Sequence, residues 1–255
     1  MHENRLIHEN EKTYFTIAVI VSVIIYLSLI ISLVGIFYII IGVLITFFLH
    51  GLMIGSIRSN GVKLTEMQFP IIHKKVVDLC RQLDIREIPD VFIIQSNGIL
   101  NAFATRFFGR NFVVLYSDIV ELIEAEGEEE LTFVIAHELA HIKRKHVSKQ
   151  LLILPALWVP FLGNAYSRAC EYTCDRMAAV YTGNPEAAMN GLSILAIGKI
   201  LYKRMNRADY LMQSNKERGF FVWLSHVMST HPPLPLRIME IERLKKFPQF
   251  FEVQN

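Results

Sequence analysis

The chain has 255 residues, and none of those from 13 to 57 is Asp, Glu, Lys or Arg. This charge gap is longer than soluble cores usually need. A bilayer core of ~30 Å takes about 20 apolar residues as a helix. One helix over the whole run would be too long at ~1.5 Å per residue. Two spans, 14–31 and 36–54 with a turn at 32–35, fit better than a buried core hairpin. The run is also too long for a cleaved leader, and no small-residue cleavage site follows it, so it is expected to stay as an anchor. Cysteine is scarce as well. Three thiols (Cys80, Cys170, Cys174) are an odd count, which argues against a secreted disulfide framework and suits a reducing compartment. Charge of one sign is also missing. With a net charge of +2 and no Lys/Arg stripe, nothing points to nucleic acid. There is no internal repeat of domain size.

What is present is apolar mass: 52% hydrophobic residues, enough for a core plus membrane spans. Arg5 and Lys12 precede the charge-free run, and Arg58 and Lys63 follow it. The positive-inside rule then puts both ends, and everything after residue 57, on the cytoplasmic side of a multi-pass cell-membrane protein. The expected organisation is a solvated polar tail over 1–12, a transmembrane helical hairpin over 13–57 and one folded domain over 58–255.

The periodicity of 66–83 predicts an amphipathic helix with Pro70 in its first turns. VFIIQ (91–95), NAFATR (101–106) and NFVVLY (111–116) read as strands of a small antiparallel sheet, with Gly109 in the turn between the last two. Ser117 is a candidate N-cap for a helix over 117–125. Three glutamates at 128–130 and three basic residues at 143–145 suit the two ends of a helix dipole. The apolar residues between them surround the axis, as in a buried helix. The next run, 151–166, holds Pro155 and Pro160 and is too short for a span. It fits a buried, a re-entrant or a surface-lying segment. Further helices are expected over 167–181, 186–203 and 234–246. The fold class is α+β and mostly helical.

The buried helix carries His137-Glu138-Leu139-Ala140-His141. Histidines at i and i+4 share one face and can hold one zinc ion. The glutamate beside them can take a proton from the attacking water. Random placement of these residue types gives roughly 0.02 such matches in a chain of this composition. The plain alternative, two satisfied core histidines, leaves their burial costs unexplained. A catalytic zinc needs a third protein ligand. Continued on the same wheel, His146 falls about 140° from His141, which excludes it. Val147 stands where the metzincin pattern wants its histidine. Glu171, on a later helix, is the main candidate. Asp175, four residues on, could hold a ligand histidine's free N–H. Cys170 and Cys174, also four apart, read better as packing residues than as ligands. His231, stiffened by two prolines, and Arg237 read equally well as turn and helix-start residues or as a pair that stabilises an oxyanion.

The hydrophobic hairpin, NAFA (101–104), HELAHIKRKH (137–146), SRACEYTCDRMA (167–178) and THPPLPLR (230–237) together resemble the HtpX-type membrane zinc endopeptidases, relatives of the CAAX prenyl proteases. The resemblance runs along most of the chain. It departs from many members, which place further spans between the histidine helix and the glutamate, and in having Cys174 where alanine is usual. It implies a gluzincin-type catalytic domain with one Zn²⁺ per chain, on His137, His141 and Glu171, and Glu138 as base. His231 and Arg237 would polarise the carbonyl or hold the tetrahedral intermediate. Asn101 and the strand it starts, with Ala102 and Phe103, would hold substrate backbone by strand addition. The expected substrates are polypeptides, chiefly misfolded or damaged membrane proteins. Processing of one lipidated or precursor substrate and non-catalytic zinc binding are the alternatives.

Overall fold

The computed structural model describes residues 3–96, 101–122 and 127–250. A short helix, α1 (Glu3–Leu6), precedes two long ones, α2 (Glu9–Ile31) and α3 (Leu33–Asn60). Both extend past the expected spans, and the turn shrinks to Ser32, whose hydroxyl accepts from Gly35 N at 3.4 Å. Both are long and apolar enough to cross a membrane, and little of their apolar surface is buried. A two-residue strand, β1 (Val62–Lys63), and α4 (Pro70–Gln82) follow. Then come β2 (Asp90–Ile94), β3 (Ala102–Phe107) and β4 (Arg110–Tyr116). Phe108 and Gly109 both have positive φ, so the β3–β4 loop is the tight two-residue turn its glycine allows.

The sheet order is β1-β2-β4-β3. β3 and β4 pair antiparallel as expected, but β2 and β4 run parallel, so the sheet is mixed. The reason lies in β4. Phe112, Val113, Val114 and Leu115 are all buried, as in a strand covered on both faces. It takes an inner position, while β3 is left at an edge. Phe112 and Val114 pack against Ile54 and Ile57 of α3. Val113 and Leu115 face the main core. The end of the apolar hairpin is thereby built into the sheet.

After β4 comes α5 (Ser117–Val120); residues 123–126 of the helix expected here lie outside the described residues. Ser117 is not its N-cap. It is the first helical residue, and its hydroxyl accepts from Ser96 N at 3.3 Å. The buried helix α6 (Glu128–Lys143) begins at its three glutamates, as read from sequence. The broken run that follows forms α7 (His146–Leu152) and α8 (Leu154–Leu157), then enters α9 (Leu162–Thr182). Gly183 closes α9 in the left-handed conformation. The helix expected over 186–203 is α10 (Pro185–Ile197), which stops at Gly198. Then come α11 (Arg207–Lys216), α12 (Phe220–Met228) and α13 (Leu234–Lys245). The main core joins α4, the sheet, α6, α9, α10 and α13.

The N-terminal segment is solvated only in part: Asn4, Arg5, Glu9 and Asn10 are exposed, but the residues among them are docked. Leu6 and Ile7 are buried, His8 N donates to Thr173 Oγ1 at 2.9 Å, and the His8 ring stacks on Tyr172. Glu11, in the first turns of α2, is 1% exposed.

Candidate metal centre

Helices α6 and α9 pack against each other and bring the two parts of the site together. His137 and His141 leave one face of α6 a turn apart, and Glu171 meets them from α9. His137 Nε2 lies 3.3 Å from His141 Nε2. The Glu171 carboxylate is 3.4 Å from His137 Nε2 and 3.3 Å from His141 Nε2. Four-coordinate zinc with arms of ~2.0–2.1 Å has tetrahedral edges of about 3.3–3.4 Å. Two imidazoles and a carboxylate at these separations therefore fit a zinc ion, with room for a fourth, non-protein ligand.

Behind the triangle lies a buried charge cluster. Asp175 is fully buried, and its Oδ1 sits 3.0 Å from His137 Nδ1, off line for a well-aligned hydrogen bond. Arg237 donates to Asp175 through both Nε and Nη2, each at 2.7 Å, and its Nη1 lies 3.2 Å from Glu171. Burial alone would raise both carboxylates. Arg237 first, and then the histidine contacts, outweigh it and hold Glu171 well below the usual carboxylate range and Asp175 below its own. Their contribution to stability is present above their ordinary pKa values near 4 and fades as pH falls through the lowered ones.

His137 has the opposite sign. Burial lowers it, but Asp175 and Glu171 lift it to about 10. Its contribution is fully present below pH ~6.5 and lost as pH rises through about 10. A metal on Nε2 requires that nitrogen deprotonated. Zinc uptake by chelator-stripped protein at pH 7 should therefore release close to one proton per site. Calorimetry in two buffers of different ionisation enthalpy measures this, and release near zero would refute it.

The cleft beside the triangle has a volume of about 640 Å³. Glu138, His231 and Arg237 line it, as do Asn101, Ala102 and Phe103 at the start of edge strand β3. His231 is largely exposed, with Nε2 3.6 Å from Glu171 Oε1. Its Nδ1 pairs with Thr230 Oγ1 at 3.0 Å. The end of α12 and the loop before His231 are pinned from α9: Arg168 donates to Val227 O at 2.9 Å and Ser229 O at 2.7 Å, and Asn164 to Met228 O at 2.7 Å. Of the expected residues, only Asp175 stands outside the cleft, behind His137.

The wheel argument for His146 does not survive. Helix α6 ends at Lys143, and Lys145 turns the chain with φ 56°. His146 is thus returned, 1% exposed, against the side of His141 away from the triangle. Burial pulls its pKa down to about 4, so it is neutral at neutral pH. Cys170 and Cys174 lie nearby. Burial raises both thiols, which keeps them protonated, as packing residues are. Glu11 and Arg168 are the site's neighbours that sequence reasoning missed; His146 was weighed there only as a metal ligand. For Glu11 the local signal was its place, with Lys12, just ahead of the charge-free run.

The family model for Peptidase family M48 matches residues 66–161 and 150–245. The chain is 28% identical over 209 residues to the plastoglobule-localized metallopeptidase 48, chloroplastic, of Arabidopsis thaliana, a match covering 72% of this chain and 59% of that protein. It is 27% identical over 239 residues to a protease HtpX homolog of Streptococcus pyogenes, covering 73% of this chain and 76% of that protein.

Proposed function

The chain belongs to peptidase family M48, and on that premise we propose that it is a membrane-anchored zinc endopeptidase acting on misfolded or damaged membrane proteins. The observation that carries the chemistry is the triangle of His137 Nε2, His141 Nε2 and Glu171, with edges of 3.3–3.4 Å, beside Glu138. Bound there, zinc would lower the pKa of a water and polarise the scissile carbonyl.

The chain's own groups do the rest. Glu138 takes the water proton and hands it to the leaving amine. His231, exposed at the cleft, donates to the developing oxyanion. Arg237 has its guanidinium engaged by Asp175 and Glu171. It acts on the oxyanion through its charge and by fixing Glu171. Asp175 orients His137. Edge strand β3, from Asn101 through Ala102 and Phe103, offers its backbone to an extended peptide. That mode reads backbone rather than particular side chains, which suits a broad substrate range.

Residues 13–57 form the membrane hairpin in this reading, and 58–255 the peptidase domain on the cytoplasmic side. The exposed apolar faces of α2 and α3 support the anchor. So does α8, which lies along α2 with Ala156 N donating to Ser22 Oγ at 3.2 Å. Beside it Trp158, Phe161, Phe220, Phe221 and Trp223 are exposed, an aromatic rim of the kind found at bilayer interfaces. The run 151–166 is then an interfacial edge of the domain rather than a further span.

The test uses the full chain purified in detergent. Metal analysis should find one zinc per chain. Casein should be cleaved, cleavage should stop on chelation, and zinc should restore it. Cleavage that continues in chelator would reject the zinc mechanism.

A further inference from the structure

Each ligand histidine has its second nitrogen covered. For His137 the cover is Asp175. For His141 it is His146, whose Nδ1 lies 3.1 Å from His141 Nδ1. The far nitrogen of His146, Nε2, lies 3.3 Å from Glu11 Oε1, off line for a well-aligned hydrogen bond. Two facing imidazole nitrogens can bond only when one carries the proton and the other a lone pair. A metal on His141 Nε2 leaves the His141 proton on Nδ1, as donor. His146 then accepts on Nδ1 and keeps its own proton on Nε2, facing the carboxylate. A single choice of tautomers bonds the two histidines to each other and leaves the His146 Nε2 proton beside the carboxylate.

We propose that His146 and Glu11 are positioning residues that orient the metal ligand His141, and that the foot of the N-terminal anchor thereby helps to build the metal centre. The proposal rests on the reading of His137, His141 and Glu171 as ligands. Glu11 is locked in place. It accepts from Arg144 Nη2 at 2.9 Å and from Thr173 Oγ1 at 2.5 Å, and Lys149 Nζ stands 3.6 Å away. Ligand histidines are held by such outer partners, whose loss weakens metal binding. Glu11, His146 and Cys170 are also close enough to hold a second ion. Arg144 and Lys149, already beside that carboxylate, would repel one.

The experiment measures zinc release from the full chain in detergent into excess chromophoric chelator. Glu11→Gln and His146→Leu should each speed release by ~10–100-fold. The double variant should be no faster than the quicker single one. Both should shift the absorption bands of the cobalt-substituted protein. Glu130→Gln removes a buried carboxylate of α6, the helix that carries His141, bonded to Asn190 at 3.0 Å, and should change neither readout. That separates positioning from a general loss of stability. Should Glu11→Gln fail to fold because Arg144 and Lys149 lose their counter-charge, His146→Leu, which retains Glu11, carries the test. Folded variants with wild-type release and unchanged cobalt bands would overturn the proposal, as would two zinc ions per chain. A wild-type protein that takes up no zinc would overturn the ligand reading itself, and this proposal with it.

Discussion

Replacing Glu138 with glutamine is expected to cut casein hydrolysis by ~10²–10⁴-fold while one zinc per chain stays bound. Glu138 is not part of the triangle formed by His137, His141 and Glu171. It lines the cleft beside them and is 7% exposed. The amide keeps the shape of the carboxylate and loses the ability to take a proton. Metal content and turnover should therefore separate in this variant. In Glu171→Ala they should fall together, because the triangle loses its only carboxylate. Metal analysis and casein cleavage on both proteins read the contrast. A Glu138→Gln enzyme of wild-type rate would remove the base from the mechanism. A Glu171→Ala protein with undiminished zinc would remove the third ligand.

Arg237→Met is expected to cost about 3–5 kcal/mol of stability, because it strands buried charge. Arg237 is 5% exposed and lies between Asp175, which is fully buried, and Glu171, 6% exposed. Without the guanidinium, two buried carboxylates lose the counter-charge they share. At ~2–4 °C per kcal/mol for a domain of this size, the apparent melting temperature should fall by roughly 6–20 °C. An exposed pair gives the comparison. Lys245 meets Glu186 at 2.5 Å with both side chains about half exposed. Lys245→Met should cost only ~0–1 kcal/mol. Thermal unfolding in detergent measures both. A fall of under ~2 °C for Arg237→Met would show that the cluster is not held by that arginine.

Much of the site was legible because its information is local. The i, i+4 spacing of His137 and His141 survives any packing of the helix that carries it. The same holds for Glu171 and Asp175, and the structure sets both pairs on helices. A run without charge over residues 13–57 declares itself without tertiary context. The two-residue turn at Phe108–Gly109 depends on backbone permission that glycine supplies.

What the sequence determined by itself was therefore the period of each element and the chemistry on each face. Which elements meet was decided only in three dimensions. Strand patterns specify which side chains are buried, not which strand lies alongside, so the parallel β2–β4 pairing could not be read. The wheel placed His146 by extending a helix that in fact ends at Lys143, where a left-handed Lys145 redirects the chain. Glu11 looked like part of a solvated tail because its partners are remote: Arg144 is 133 residues away. A carboxylate among water-loving neighbours reads as solvated. Only the packing of α2 against α9 and the α6–α7 corner removes that water and replaces it with Thr173, Arg144, Lys149 and His146.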